Sequence, residues 1–407
     1  MALSTKERIV DAAFSFYRKS QFMEFSLSQL AKAVGITKAA IFKHFSSKEA
    51  ILQAMQERMY NDIAEVFIAV QKSPGFKHER DMLLPLIVFV AEHREYLGYF
   101  LSCQPLEAER QFALAMHDRG VNIVDRMYNS NGSLLNPELY FRNMFIVITL
   151  LVFLLARDKI LEHNYVDMFA VEPFAVMLTQ LINKGLGEAD PALDSGRMKE
   201  LNSLCREAMA HMKSEDRIFT ALAAVVAEKG LPGVTVERIA NKLNMAKSSL
   251  YSYFSNKHEM MHSLVFGELK QLFAFLHENL KHARSCGENV YIFMRTIGEF
   301  FVRHPSVPYV SRWLGINTTE GTTDEEKKHF EFMYGLIKDV QFTHKVPEFG
   351  YIHVNDIHTI IGWFFSLPLV LQMHGRAHGY STDTLLDAVS SLYQMVENGI
   401  GVLDSAA

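Results

Sequence analysis

The chain reads as an all-α protein made of two similar halves. Two observations carry this: apolar residues recur at helical spacing between capping signals, and a stretch near the N-terminus repeats without gaps 209 positions later. The register of that repeat pairs Arg8-Ile9 with Arg217-Ile218, Ala31 with Ala240, Lys38 with Lys247, and Phe45-Ser46-x-Lys48 with Phe254-Ser255-x-Lys257.

In the first copy, Ser4-x-x-Glu7 is a capping box, and Ile9, Ala12, Ala13 and Phe16 mark the buried stripe of a first helix. A second capping box, Ser26-x-x-Gln29, opens a short helix that buries Leu27, Leu30, Ala31 and Val34 and stops at Gly35. A third helix is expected from Thr37 to His44. Ser46-x-x-Glu49 is then read as the cap of a fourth, which continues through Ile51, Leu52 and Met55.

The second copy repeats the plan: a helix from Ile218 to Val226, another from Thr235 to Leu243, a break at Asn244, a helix from Lys247 to Tyr253, and a cap at Ser255. Gly35 and Asn244 are the residue types most tolerant of a left-handed backbone, so both copies can turn tightly between short helices.

At 407 residues and 49% apolar composition, the chain is long and apolar enough for more than one packed core. Cys103, Cys205 and Cys286 are far apart and outside any C-x-x-C spacing, so neither a zinc site nor a disulfide framework is expected, and a reduced, cytoplasmic setting fits. No secretory pattern opens the chain. The most apolar run, Met144 to Ala156, is shorter than the roughly 20 residues of a membrane span and reads as a buried helix.

Net charge is −5, yet residues 1–60 carry +4 and residues 213–262 carry +2, which leaves −11 for the remainder. Two basic segments in an acidic chain coincide with the repeated helices. Two short helices joined by a tight turn, the second presenting small and polar residues, form a helix-turn-helix whose second helix fits the major groove.

The strings Gly-Ile-Thr-Lys-Ala-Ala-Ile-Phe-Lys-His-Phe-Ser-Ser-Lys-Glu (35–49) and Asn-Met-Ala-Lys-Ser-Ser-Leu-Tyr-Ser-Tyr-Phe-Ser-Asn-Lys-His (244–258) resemble the recognition-helix signature of the TetR family of repressors. The resemblance implies that Thr37, Lys38, Ala39, Ala40 and Lys43 face the groove while Phe42, His44 and Lys48 approach the DNA backbone. Its counterparts in the second copy are Ala246, Lys247, Ser248, Ser249 and Ser252 in the groove, with Tyr251, Tyr253 and Lys257 at phosphates. Ser26 and Thr235 are expected near a phosphate at the start of each second helix. Ile41, Leu250, Phe45 and Phe254 are core candidates. The first copy departs from the family in having Phe42 for the usual Tyr and Gln21 where Gly is common, whereas the second has Tyr251 and Gly230.

The expected organisation is a helix-turn-helix domain at 1–54, a helical ligand and dimerisation domain at 55–187, a linker at 188–212, a second helix-turn-helix domain at 213–263 and a second helical domain at 264–407. By resemblance, the last two long helices of each half pair across a two-fold: Pro137 to Asp158 with Asp167 to Lys184, and Val354 to Gly375 with Thr382 to Asn398. One chain then supplies either both partners of a pseudo-dimer or one protomer of a homodimer.

The expected partners are a double-stranded DNA operator and a small-molecule effector, apolar or aromatic, near Tyr96, Phe100, Gln104, Met116, Trp313 and Tyr334. No cofactor, metal or membrane is expected. The pairs His258/His262 and His374/His378 have a ligand-like i, i+4 spacing but no third ligand nearby. Without a phosphate loop or nucleophile elbow, the chain does not read as an enzyme. The alternative from another class is an interaction module derived from a regulator that no longer binds DNA.

Overall fold

The computed structural model describes residues 3–19, 25–103, 108–121, 137–161, 171–187, 193–210, 217–229, 234–252, 257–305, 307–308, 328, 331–332, 334–342 and 357–400. Among these residues the regular elements are all helical.

The chain divides into two compact units. The first holds residues 1–140 and 161–179, the second residues 141–160 and 180–407. The division does not follow the sequence halves.

In the first unit, α1 (Thr5–Lys19), α2 (Leu27–Val34), α3 (Lys38–Phe42) and α4 (Lys48–Gln71) are followed by a 3-10 turn at Glu79–Met82, then α5 (Leu83–Glu92), α6 (Arg94–Cys103) and α7 (Ala108–Asp118). Both capping boxes form: Ser4 with Glu7, and Ser26 with Gln29. The fourth helix departs from expectation by one residue. Ser47, not Ser46, is its cap, because Ser47 has the extended backbone that lets its Oγ accept from the Ala50 N–H at 3.2 Å.

One core joins α1, α2, α3 and α4 to α6 and α7, with Ile9, Ala13, Leu30, Ile41, Ile51 and Met55 packed together with Tyr99 and Met116. Gly98 lets α6 approach the backbone of Tyr17 so closely that a side chain there would overlap it. The Tyr99 hydroxyl donates to the carbonyl of Leu52 at 2.9 Å, and Arg58 pairs with Asp11, tying α4 to α1.

The second unit holds α8 (Pro137–Leu161) from Phe141 to Ile160, the end of α9 (Val171–Lys184), α10 (Ser195–Ala210), α11 (Arg217–Lys229), α12 (Val236–Lys242), α13 (Lys247–Tyr251), α14 (Lys257–Leu280), α15 (Cys286–Arg303), α16 (Ile357–Ala377) and α17 (Thr382–Asn398). Two further expectations are corrected here. Most of the stretch read as a linker is α10, a packed helix that buries Leu201, Cys205 and Met209; the Gly, Pro and acidic residues that suggested a linker cover only its entrance.

The apolar run in α8 is also longer than read. Within the helix, Glu138–Arg157 is a 20-residue window long and apolar enough to cross a membrane, because a few charged residues at its ends do not offset its interior. Half of that window is buried within the protein.

Burial of α8 comes through the end helices of the second half. Trp363 of α16 packs its ring 5.5 Å from Phe153 and 6.1 Å from Phe145, and its Nε1–H donates to Oγ1 of Thr149 at 2.9 Å. Further along, the N–H groups of Leu186 and Gly187 donate to the carbonyls of Val396 and Glu397, both at 2.8 Å. Gly185, just after α9, sits on the backbone of Glu397 and Asn398, and Gly399, just after α17, sits on that of Asn183 and Lys184. The contact is reciprocal, as at an isologous interface.

The repeat therefore extends beyond the short helices, with small insertions. His93 ends α5 and His304 ends α15 with nearly the same backbone, each N–H reaching the carbonyl of a Phe four residues back, Phe89 and Phe300, whose ring lies on the imidazole at 4.4 and 4.6 Å. The covering differs between the copies. In α5 only Leu83, Ile87 and Ala91 are buried, whereas α15 is buried from Cys286 to Phe301 apart from Asn289.

Helix α10 provides part of that cover. Arg197 makes a two-pronged bond to Glu288 at 2.8 and 2.9 Å, Asn202 accepts from the Tyr291 hydroxyl at 2.7 Å, and Thr296 donates to Cys205 at 3.4 Å. Arg295 and Glu299 form a buried pair on the same helix, and Arg295 also donates to the carbonyl of Leu386 in α17.

Candidate nucleic-acid interface

In the first unit, α2 is capped by Ser26 at its start and by Gly35 at its end, whose φ of +76° turns the chain into α3. Thr37 caps α3 by accepting from the Ala40 N–H at 3.1 Å. Ile41 is the buried residue of α3 and holds it to the core. Because a helix turns 100° per residue, anchoring Ile41 forces the rest outward. Thr37, Lys38, Ala39, Phe42, Lys43 and His44 are exposed and Ala40 half-exposed.

The second unit repeats this plan, except that Ala246, the counterpart of Thr37, makes no side-chain cap. Thr235 caps α12 by accepting from the Arg238 N–H at 3.2 Å. Asn244 takes the left-handed turn with φ of +53°, the one non-glycine among the described residues to do so. Leu250 is the buried residue of α13. Ala246, Lys247, Ser248, Tyr251 and Ser252 are exposed, and Ser249 is half-exposed, in the order of their counterparts 209 positions earlier.

Electrostatics reinforce both faces. Lys6 of α1 lies 5.5 Å over the ring of Phe45, so the first helix brings a cation beside the end of α3. Sequence reasoning counted Lys6 in the charge but did not assign it to the interface; its place in the first turn of α1 was the available signal. Lys48 stands 5.3 Å over the Phe25 ring, at the entrance of α2. In the second copy Lys247 lies 5.9 Å over Tyr251, so cation and aromatic form one exposed unit. Lys242 pairs with Glu228, fixing α12 to α11. Arg8 donates to the carbonyl of Val34 at 2.9 Å, closing the end of α2 on α1.

Tyr253 lies outside the described residues, as does the side chain of Lys257. Of the residues named for an effector, Tyr96 is buried with its hydroxyl on Asp62, Met116 is fully buried in the same core as the short helices, and Tyr334 is half-exposed. Gln104, Trp313 and the side chain of Phe100 lie outside the described residues.

Two short helices, a left-handed turn and an exposed second helix carrying lysine and small side chains, present twice, make this a helix-turn-helix protein. Residues 9–55 and 218–264 each match the bacterial regulatory proteins of the tetR family. The chain thus carries two TetR-like helix-turn-helix regions in tandem. It is similar to the HTH-type transcriptional regulator AcrR of Shigella flexneri, 28% identical over 137 residues, which covers 29% of this chain and 61% of that protein. It is also similar to an uncharacterized HTH-type transcriptional regulator, TtgW, of Pseudomonas putida, 35% identical over 54 residues, which covers 13% of this chain and 40% of the relative. The chain thus spans less than two thirds of the length of either relative.

Proposed function

We propose that this chain is a transcriptional regulator, acting by repression, that grips operator duplex through two unlike helix-turn-helix heads, with its two halves paired as a single-chain pseudo-dimer and its occupancy set by a small-molecule effector. The observation that carries the reading is the outward face of α3, reproduced position for position on α13, each held by one buried aliphatic residue. Lysine at the start of each short helix can donate to guanine edges or phosphates, and the neighbouring small residues allow close approach to the groove.

The pseudo-dimer reading is supported by the reciprocal seating of Gly185 and Gly399 and by the bond from Trp363 to Thr149, which joins a helix of one sequence half to a helix of the other. Symmetric interfaces bring equivalent surfaces together. An effector acting near α6 and α7 has a direct path to the first head, since those helices share its core through Tyr99 and Met116. Apolar chemistry suits such an effector.

The test is light scattering on the free protein and on its complex with duplex selected from a random pool. One chain per duplex, on a site with two unlike halves, is the expected result. Two chains per duplex would replace the pseudo-dimer by a homodimer, and failure to select any duplex would leave the interaction-module reading in its place.

A further inference from the structure

We infer that the two heads read different chemistry in the groove: the first reads the C5-methyl group of thymine through Ala39 and Phe42, and the second reads polar base edges through hydroxyls. This rests on the DNA-binding reading above and deepens it.

The geometry comes from the buried anchor of each short helix. With Ile41 turned into the core, residues two before and two after it lie on the opposite side, so Ala39 and Lys43 occupy the centre of the outward face and Phe42 flanks them. Around Leu250 the same positions are Ser248 and Ser252, flanked by Tyr251. Phe42 is 48% exposed and Tyr251 46%; the resemblance sends both rings toward the DNA backbone, but Phe42 has no hydroxyl with which to bond a phosphate, so its ring is assigned to the apolar edge of the groove.

A phenyl ring and a methyl side chain cannot exchange hydrogen bonds with base edges. What they gain is the burial of apolar surface, and in the major groove that surface is the thymine methyl. Lys43, beside Ala39, can donate to a guanine edge or a phosphate and adds nothing to the thymine-methyl contact.

The second head has the opposite endowment. The Ser252 hydroxyl donates to the carbonyl of Ser249 at 2.7 Å, which leaves its oxygen as an acceptor facing outward. Such an acceptor suits the amino groups of adenine and cytosine. Ser248 can donate or accept, and the phenolic hydroxyl of Tyr251, which the resemblance directs to a phosphate, has no counterpart on Phe42.

The experiment replaces thymine by deoxyuridine, which removes the methyl and leaves the pairing edge intact, separately in each half of the selected site. Hydroxyl-radical footprints of Lys38→Ala and Lys247→Ala assign each half-site to its head. Uridine in the half-site of the first head is expected to weaken binding about fourfold for each methyl contacted, and Phe42→Ala and Ala39→Gly to blunt that loss; uridine in the other half-site is expected to leave affinity unchanged.

Equal losses in both half-sites, no loss in either, or a first half-site selected without thymine would each overturn the inference while leaving DNA binding intact. Failure to select any duplex would instead overturn the reading on which it rests. Because Phe42 is exposed, Phe42→Ala is expected to melt close to the parent, whereas Ala39→Gly is expected to melt lower, since glycine weakens the helix backbone; a circular-dichroism melt checks that both remain folded.

Discussion

Trp363 and Thr149 occupy the same place in the two halves. They are 214 positions apart (363 − 149), the spacing that also relates Gly399 to Gly185 (399 − 185), and the indole of one donates to the hydroxyl of the other in a fully buried pair. The hydroxyl in turn donates to the carbonyl of Phe145 at 2.7 Å, so every hydrogen-bonding group at this junction is used.

Thr149→Val keeps the shape of that junction and strands a buried indole N–H. The expected loss is about 1–3 kcal/mol of unfolding free energy. Trp363→Ala is expected to cost about 3–5 kcal/mol through the void left between Phe145 and Phe153. Urea titrations of the full chain give both values, and parental midpoints would remove this pair as a structural anchor.

Gly35 and Gly399 both have a positive φ, but their surroundings differ. A side chain on Gly35 meets nothing, whereas one on Gly399 overlaps the backbone of Asn183 and Lys184. Gly35→Ala is therefore expected to lose about 1–2 kcal/mol to backbone strain alone, and Gly399→Ala a further 1–3 kcal/mol, roughly, to overpacking. Thermal melts of the two variants side by side test the order, and equal losses would contradict the seating of Gly399 against α9.

Arg197 holds the Glu288 carboxyl below the ordinary carboxylate range, despite burial pulling the other way. A depressed acid stabilises the fold above its unfolded value, near 4.3, and that contribution fades as pH falls through the folded value. Stability should decline below about pH 4.3, and Glu288→Gln should be less stable at neutral pH yet flatter across the acid window. Denaturant midpoints measured from pH 6 downward decide it; parallel profiles for parent and variant would count against the pair. Arg197→Ala, which leaves Glu288 without its main counter-charge, is expected to cost about 3 kcal/mol at pH 7.

Burial pushes the Cys205 thiol up to about 12, against the hydrogen bond from Thr296 and the charge of Arg295, which pull it down. Cys286 is buried as well. Neither is expected to react with a thiol reagent at pH 8 until urea opens the protein. Prompt labelling of Cys205 in the native chain would mean that α10 lifts readily from α15.

Lys247 and Tyr251 form one exposed unit in the second head, and the hydroxyl of Tyr251 has no equivalent on Phe42. The second head is accordingly expected to bind the more strongly. In a gel shift on the selected duplex, Lys247→Ala should weaken binding more than Lys38→Ala, by about tenfold or more if it removes a bidentate base contact. The reverse order would assign the stronger grip to the first head.

Local chemistry carried the short helices. Ser4, Ser26, Thr37 and Thr235 cap where a side-chain oxygen can reach the free N–H groups of a first turn, Gly35 and Asn244 turn where a left-handed backbone is tolerated, and Ile41 and Leu250 are the aliphatic residues by which the short helices are anchored in the core. All of these act within a few residues, so sequence alone determined them, and the 209-residue offset made each copy a check on the other.

Tertiary packing decided the rest. That α10 is a packed helix rather than a linker depends on Arg197 meeting Glu288 and Asn202 meeting Tyr291, partners 91 and 89 positions away. That α8 groups with the second half depends on Thr149 finding Trp363 at a distance of 214 positions. Contacts between residues so far apart leave no periodicity in the chain, because apolar stripes state only that a face is buried; which face covers it is settled when the helices pack.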